Sequence, residues 1–383
     1  MISSSKNSIY FDIAATTPLD QSVIDVMHEI NQKYYGNPSS IHVFGQKAHN
    51  LLEKQRKQIA SILSCKESEI FFTAGGTEAN NIALKGVLKK GDHFITSSYE
   101  HPAVLKVAKD LEKNDVKVSY VKPDSNGVIK PESVKNKINS KTKLVSIMYV
   151  NNELGTINPI DEIGNICKDN DILLHSDAVQ YVGKLPIDLS NINVDLLSIG
   201  AHKFYGPKSI GLLYIKNDVL IEPLLIGGGQ EKGIRPGTEN ITLIAGMGEA
   251  LKIAYENMGY HLKHIKKMET LFLDKLDNSY IDYKLNGKPR IPGFLSISFK
   301  NIEGESLLMQ LDMAGIAVSY GSACASGSSK VSSTLLEIGM DEIEAKHTIR
   351  ISIGKHIKDK DIDLLFNSIK NIIPVETKDE ING

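Results

Sequence analysis

Residues 70–88 read IFFTAGGTEANNIALKGVL, an apolar run followed by two glycines and then an amphipathic run. The apolar run at 70–73 predicts a buried strand, and the residues from Thr77 to Leu88 predict a helix that Thr77 could cap. Glycines let the backbone approach a ligand closely, and the first turn of a helix offers unpaired N–H groups to an anion. The turn therefore predicts either a phosphate site, with the Thr77 hydroxyl as an extra donor, or an ordinary strand-to-helix turn.

The same alternation of short apolar runs and longer amphipathic runs continues as far as residue 215. It predicts strands at 93–97, 116–121, 143–149, 172–176 and 195–199, and helices at 102–113, 131–138 and 159–168. This order indicates an α/β fold with a large, mostly parallel sheet that helices cover on both faces. Ligands of such sheets bind at the carboxyl ends of the strands, so the candidate site residues should follow strands.

The pattern changes beyond residue 215. A glycine-rich stretch at 227–237 precedes one long helical pattern at 241–276, which we expect to lead out of the large domain. Strand patterns at 294–299 and 348–353, with helices between them, predict a smaller α+β domain. We therefore expect residues 16–258 to form the large domain, and residues 1–15 and 259–383 to form the small domain.

Composition limits the class of protein. Of the 383 residues, 41% are hydrophobic and 23% are charged, which is typical of a globular chain with a substantial core. The formal net charge of −2 does not favour binding to nucleic acid or to an anionic membrane. The three cysteines form no CxxC pair, so neither a disulfide framework nor a structural zinc site is expected. No apolar run approaches membrane-spanning length and no export signal is visible, so we expect a cytoplasmic protein.

Three polar residues follow predicted strands. Asp177 could pair with a protonated pyridine nitrogen, or it could cap the next segment. Lys203 could form a Schiff base with an aldehyde cofactor, or it could be a solvated lysine, and Lys208 competes for the same role. His101 could stack on an aromatic cofactor and move protons, or it could simply start a helix that Pro102 fixes.

Other candidates lie outside these strand ends. Residues 321–327, GSACASG, surround Cys324 with small residues, which predicts a weakly packed and accessible thiol with a function. Asn152 follows a strand that ends at Val150, where its amide could bind a ligand oxygen or make a polar turn. Arg350 lies within a strand pattern, where its charge needs either a substrate carboxylate or a structural acid as a partner.

In this combination the chain resembles the NifS/IscS group of cysteine desulfurases, within the class V aminotransferase-like superfamily. The resemblance runs from Ile9 to about Gly354, which is nearly the whole chain. It rests on the stretches 9–18, 36–40, 72–80, 150–153, 177–180, 202–203, 235–240 and 321–324. Few reactions need all six of these features together: a phosphate cradle, a partner for a ring nitrogen, a lysine, a stacking histidine, a carboxylate clamp and a mobile thiol.

The resemblance implies an enzyme of fold type I that binds pyridoxal 5'-phosphate, takes sulfur from L-cysteine and leaves L-alanine and a persulfide on Cys324. It implies that Lys203 holds the cofactor covalently and moves protons, and that His101 stacks on the ring and assists proton transfer. It implies that the phosphate is bound by Gly76, Thr77 and His202, and by Thr238 of the other subunit. Asp177 is implied to pair with the ring nitrogen, and Gln180 with the ring hydroxyl. Asn152 is implied to contact the cofactor and, together with Arg350, to bind the substrate carboxylate.

The resemblance also implies partners. We expect a homodimer that passes sulfur to an acceptor or iron–sulfur scaffold protein, for cluster assembly or for thiolation of tRNA or a cofactor. No direct nucleic-acid contact, membrane or resident metal is expected, although Cys324 could contact a transferred iron–sulfur cluster. The alternatives are a selenocysteine lyase or another lyase or aminotransferase on the same scaffold, and a non-catalytic scaffold protein. Cys324 argues against the enzymes, and the set of Lys203, Asp177 and His101 argues against the scaffold.

Two stretches depart from the family pattern. Many relatives have serine where this chain has Gly200, so a phosphate-binding hydroxyl is missing, and cofactor affinity could be lower. The stretch 328–333, SSKVSS, replaces a more usual Leu-Glu-Pro-Ser type of sequence, which bears on partner choice rather than on chemistry.

Overall fold

The computed structural model describes residues 8–321 and 331–373, which form twelve strands and twelve α-helices. In chain order the strands are β1 (Ile9–Tyr10), β2 (Ile70–Thr73), β3 (His93–Ser97), β4 (Lys117–Val121), β5 (Thr142–Ser146), β6 (Leu173–Asp177), β7 (Leu196–Gly200), β8 (Gly211–Ile215), β9 (Tyr283–Asn286), β10 (Phe294–Phe299), β11 (Ile316–Ala317) and β12 (Thr348–Ser352). The helices are α1 (Gln21–Lys33), α2 (Val43–Leu63), α3 (Gly76–Val87), α4 (Pro102–Lys113), α5 (Pro131–Lys135), α6 (Ile160–Asp169), α7 (Ile241–Glu256), α8 (Met258–Asp277), α9 (Gly304–Met313), α10 (Ser333–Glu337), α11 (Glu342–Lys346) and α12 (Asp359–Ile372).

The central sheet contains seven strands in the order β2-β8-β7-β6-β5-β3-β4. The pairs from β7 through β6, β5 and β3 to β4 are parallel, whereas β8 runs antiparallel to both β2 and β7. The predicted α/β class with a mostly parallel sheet is therefore confirmed. Neither β8 nor its reversed direction was predicted, and a continuous apolar run fits a strand of either direction.

Both faces of the central sheet are buried in separate apolar cores. Phe72 and Leu197 belong to one core, while their chain neighbours Phe71 and Leu196 belong to the other. Successive side chains of a strand point to opposite faces, so this alternation requires cover on each face. It explains why the strands read as continuous apolar runs rather than as alternating ones.

Two predicted helix details differ from the structure. The helical pattern at 241–276 is divided at Asn257, whose backbone leaves the helical region and whose Nδ2 donates to the Ile253 carbonyl at 3.0 Å. A side chain that bonds to the preceding turn competes with the helical ladder, which ends α7 there. Helix α3 begins at Gly76 rather than being capped by Thr77, and Gly75 precedes it with φ +146°.

A third apolar core, apart from the two that flank the central sheet, is built from both ends of the chain. Strands β12, β10 and β9 form an antiparallel sheet, and β1 pairs in parallel with β11. Phe11 from the start of the chain packs in the same apolar cluster as Phe272 and residues of β10 and β12. The division into domains at residue 258 stays a prediction.

Parallel strands bring their carboxyl ends to one edge of the central sheet. The turns after β2, β3 and β7 carry the glycine pair, His101 and Lys203 respectively, and Asp177 is the last residue of β6. Residues from four distant parts of the sequence can therefore meet at this edge. In the part of the chain that the structure describes, no helix has the length and apolarity to cross a membrane.

Candidate active site

One cavity collects most of the predicted site residues. It encloses about 250 Å³ and lies between the carboxyl edge of the central sheet and strand β12. The predicted residues on its wall are Gly76, Thr77, His101, Asn152, Asp177, Gln180, His202, Lys203 and Arg350. The first and the last of them are far apart in the chain, so it is the fold that brings them together.

The amino end of α3 forms one wall of the cavity. A Cβ on Gly76 would lie 2.5 Å from Val179 Cγ2, so only glycine fits between this helix and the neighbouring turn. No atom lies within 4 Å of the position that a Cβ on Gly75 would take, and Gly75 contributes no side-chain cap. The first N–H groups of α3 are therefore not capped by the preceding residue, which leaves an anion site beside Thr77.

Asp177 ends β6 and is only 6% exposed. Its Oδ1 accepts a hydrogen bond from the Val179 N–H at 3.0 Å, and its Oδ2 accepts one from Asn80 Nδ2 at 2.7 Å. Both oxygens are therefore fixed as acceptors on the cavity wall. The capping role that the sequence allowed is also present, because the Val179 N–H belongs to the next segment.

Lys203 follows β7 in a short 3-10 turn. Its Nζ donates to the carbonyl oxygens of Ala14 at 2.7 Å and Ala15 at 2.6 Å, which hold the amine at the cavity. Lys208 is exposed and does not line the cavity. Of the two lysines that the sequence offered, the structure places Lys203 beside the other candidates.

His101 precedes α4, and its Nδ1 accepts a hydrogen bond from the Ala103 N–H at 3.1 Å. Burial lowers the pKa of this imidazole, the charge of Asp177 opposes that effect, and Lys203 lowers the pKa further. Burial, followed by the charge of Lys203, lowers the pKa of His202 to about 4. Both imidazoles are therefore neutral at pH 7, and an acceptor Nδ1 places the proton of His101 on Nε2.

Arg350 projects from β12 and is 3% exposed. Its Nη2 donates to Asp12 Oδ1 at 2.7 Å, and its Nη1 donates to the Asn152 carbonyl oxygen at 2.6 Å. A structural acid thus partners this charge, as the sequence allowed. The Nε atom is buried and has no hydrogen-bond partner among the residues described, so one donor is left for a ligand.

The chain near residues 12–17 closes another side of the cavity. Gln180 Nε2 donates to the Ala14 carbonyl at 2.8 Å, and Gln180 Oε1 accepts from Lys184 Nζ at 3.2 Å. His202 Nδ1 lies 3.1 Å from Thr16 Oγ1. This amino-terminal segment therefore contacts Gln180, His202, Lys203 and Arg350 in turn.

One predicted site residue in the described part of the chain does not line the cavity. Thr238 is exposed and does not line the cavity of its own chain. Cys324 lies outside the described residues. At Gly200, a Cβ would lie 3.6 Å from the Gly76 nitrogen and at ordinary contact distances from its other neighbours, so the fold itself leaves space for a side chain there.

Sequence reasoning assigned no role to three residues that hold this site together. Asn80 fixes Asp177, Asp12 pairs with Arg350, and Glu153 is buried beside Asn152. The signal for Asn80 was its spacing, because a residue three positions after Thr77 shares a helix face with it. Neither Asp12 nor Glu153 has a comparable local signal, since their partners lie 338 and 179 residues away.

Comparisons with known proteins agree with this geometry. Residues 9–365 match the family described as aminotransferase class-V. The cysteine desulfurase IscS of Clostridium botulinum is 43% identical over 373 residues, which are 95% of this chain and 94% of that protein. The solved structure of a NifS-like protein is similar with a TM-score of 0.90 and 38% identity, covering 96% of this chain and 99% of that one. SspA, solved in complex with cysteine, is similar with a TM-score of 0.81 and 36% identity, covering 92% and 100%.

Proposed function

The chain belongs to the class-V aminotransferase family, and from this membership we propose that it is a pyridoxal-phosphate-dependent cysteine desulfurase. It converts L-cysteine to L-alanine and leaves the sulfur as a persulfide on Cys324. The observation that carries the proposal is the single cavity on which an anion cradle, a buried carboxylate, a lysine and an arginine with a free donor meet.

The residues of the cavity fit pyridoxal 5'-phosphate. The uncapped turn at Gly76 and Thr77, with His202 beside it, suits the phosphate. Asp177, whose two oxygens can only accept, suits a protonated ring nitrogen, and Gln180 suits the ring hydroxyl. Lys203 suits the aldehyde carbon, and His101 suits the face of the ring.

When bound, the cofactor draws electrons from the substrate Cα and so makes its proton and the bond to sulfur easier to break. Lys203 removes the Cα proton and returns protons to carbon, while neutral His101 lies beside it as a second proton carrier. Arg350 Nε and the Asn152 amide hold the substrate carboxylate, which fixes the direction of its side chain.

The sulfur step belongs to Cys324. Its thiolate forms a bond to the substrate sulfur as the Cβ–S bond breaks, and the electron pair of that bond stays with carbon. Carbon then takes a proton, so that one cysteine and one protein thiol give one alanine and one persulfide. The two other cysteines do not suit this role, because burial raises the pKa of Cys65 and of Cys167 to about 12.

We expect the purified holoenzyme to form L-alanine from L-cysteine in the presence of a reductant, with sulfide released in equal amount. The measurement is amino-acid analysis with parallel sulfide determination. L-Serine, which has the same shape without sulfur, is the control and should give no alanine. Pyruvate and ammonia in place of alanine would instead make the protein a lyase, and no turnover by the cofactor-loaded protein would contradict the proposal.

A homodimer is part of the proposal, because large apolar residues are exposed around one region. Ile41 and Ile226 are 91% and 99% exposed, and Phe44 and Leu225 are also exposed nearby in the chain. Residues 38–39 and 229–232 line a common cavity of about 610 Å³ between these two stretches. A second copy that covers this region would bury the apolar surface and bring its Thr238 toward the phosphate site.

We expect the protein to elute with about twice its 42.1 kDa mass in size-exclusion chromatography with light scattering. Ile226→Asp should shift the mass to that of a monomer and speed cofactor release about tenfold or more, since one phosphate contact is lost. Tyr280→Asp, a change at an exposed aromatic residue between α8 and β9, is the control and should do neither. A wild-type monomer that keeps its cofactor would contradict this part.

We propose that the persulfide sulfur passes to an acceptor or iron–sulfur scaffold protein, because Cys324 must lose this sulfur before it can accept another. We propose the cytoplasm as the compartment, because a persulfide and the free thiols of Cys65 and Cys167 need reducing surroundings.

A further inference from the structure

Glu153 is a buried acid that the proposed chemistry does not use. It is 8% exposed, and no lysine or arginine among the described residues forms an ion pair with it. Its two oxygens accept from hydroxyl groups instead, from Ser332 at 2.5 Å and from Thr334 at 3.1 Å. Burying a carboxylate without a neighbouring cation costs free energy, and the two hydrogen bonds from these hydroxyl groups offset that cost.

The turn that carries Glu153 is itself rigid. Asn151 is fully buried, and its Oδ1 accepts from the N–H groups of Glu153 and Leu154, both at 2.9 Å. Asn152, which lies between Asn151 and Glu153 in the sequence, is on the cavity wall, and its carbonyl oxygen accepts a hydrogen bond from Arg350. Glu153 is therefore attached by the backbone to a proposed substrate-binding residue.

The partners of Glu153 begin the chain that follows residue 330. Ser332 also caps α10, because its Oγ accepts from the Leu335 N–H at 3.3 Å while donating to Glu153. One hydroxyl thus connects the helix to the carboxylate, and Thr334 adds a second connection from inside the helix. At the other end of α10, Glu337 accepts from Ser98 at 2.6 Å.

The chain that precedes residue 322 is held at the same turn. Ser319 and Arg350 exchange two backbone hydrogen bonds, of 3.0 and 2.7 Å, and Arg350 then reaches the Asn152 carbonyl. The two stems of segment 322–330, which contains Cys324 in the sequence, are therefore both attached to residues 152–153.

We propose that Glu153 is a positioning residue for sulfur transfer, which sets the carboxyl-terminal stem of the Cys324 segment on the turn that presents Asn152 to the substrate. This inference rests on the proposed desulfurase function. Glu153 touches neither substrate nor cofactor in it. Its carboxylate acts through Ser332 and Thr334, so that the place where the substrate is held and the place where the thiol is tethered keep one fixed relation.

The test compares Glu153→Gln with a variant that removes the two hydroxyls, Ser332→Ala with Thr334→Val, and with all three changes together. Glutamine keeps the shape of the side chain but offers only one acceptor oxygen in place of two. Glu69→Gln is the matched control, because Glu69 is also buried and accepts two hydrogen bonds, from the N–H groups of Lys66 and Asn217.

Three readouts separate positioning from a general structural role. In Glu153→Gln we expect kcat for alanine formation to fall about ten- to a hundredfold, as for a reacting group displaced by about 1 Å. Exchange of the Cα hydrogen of L-alanine in D2O, which needs no thiol, should stay within about twofold of wild type. Deuterium uptake by amides 331–339 should speed up, because the cap of α10 loses its anchor.

The hydroxyl-free variant should show the same three changes, and the triple variant should add no more than about twofold, because all the changes remove one connection. Unchanged kcat in Glu153→Gln, or a parallel fall in Cα exchange, would overturn the proposal, as would equal effects in Glu69→Gln. If the wild type forms no alanine, the desulfurase function fails and positioning for sulfur transfer fails with it. Deuterium uptake then still decides whether Glu153 anchors the stem.

Discussion

Lys203→Ala is expected to lower alanine formation by on the order of 10⁴-fold or more, because in the proposed mechanism one side chain supplies both the covalent attachment and the proton transfer. Among the lysines that the structure describes, Lys203 is the one that lines the cavity. Ala14 and Ala15 direct its amine into the cavity, and Lys208, five residues later, is exposed and outside it. Borohydride reduction of the holoenzyme followed by peptide mass spectrometry should place the cofactor on Lys203 in the wild type and on no lysine in the variant.

Lys208→Ala is the control for that experiment. It should keep both the covalent attachment and the rate of alanine formation, because Lys208 does not reach the cavity. If borohydride instead fixed the cofactor to Lys208, or if Lys203→Ala retained its rate, the assignment of the reactive lysine would be wrong.

Cys324→Ala is expected to lower alanine formation by about 10³-fold or more while leaving cofactor binding intact. The hydrogen bonds that hold Asp177, Lys203 and Arg350 on the cavity wall join them to residues other than Cys324. The variant should therefore still exchange the Cα hydrogen of L-alanine in D2O, as proton NMR would measure. This separation of proton transfer from sulfur transfer distinguishes a lost acceptor thiol from a damaged cofactor site.

Cys167→Ala serves as the comparison for the thiol. Burial raises the pKa of Cys167 to about 12, so almost no thiolate forms there at neutral pH, and its removal should cost stability rather than alanine formation. Alanine formation at the wild-type rate by Cys324→Ala would show that another acceptor takes the sulfur.

The sheet and the residues at its edge were predictable because they follow local patterns. An apolar run that ends in a polar residue marks both a strand and the position of the next side chain, which is how Asp177, Lys203 and His101 were found. The helix start at Gly76 was displaced by one residue from the prediction. Glycine dipeptides do not show which of the two residues begins the helix.

The remaining parts of the site depend on contacts that no local pattern encodes. Asp12 reaches Arg350, and Ala14 reaches Lys203, from the segment that follows β1, which pairs with β11. The attachment of Glu153 to Ser332 likewise requires both the turn after Val150 and the start of α10. Charges in strands and turns signal that a partner exists, but the fold decides which residue it is.

The amino-terminal segment of residues 9–17 has a consequence for how the protein is made. Its Asp12 pairs with Arg350, which lies 338 residues later in the sequence, and its strand β1 pairs with β11. During translation, the central sheet can form before the strands that pair with this early segment have been synthesised. The part of the cavity that we propose to bind the substrate carboxylate can therefore be completed only after residue 350 has been translated, and a shorter nascent chain would lack it.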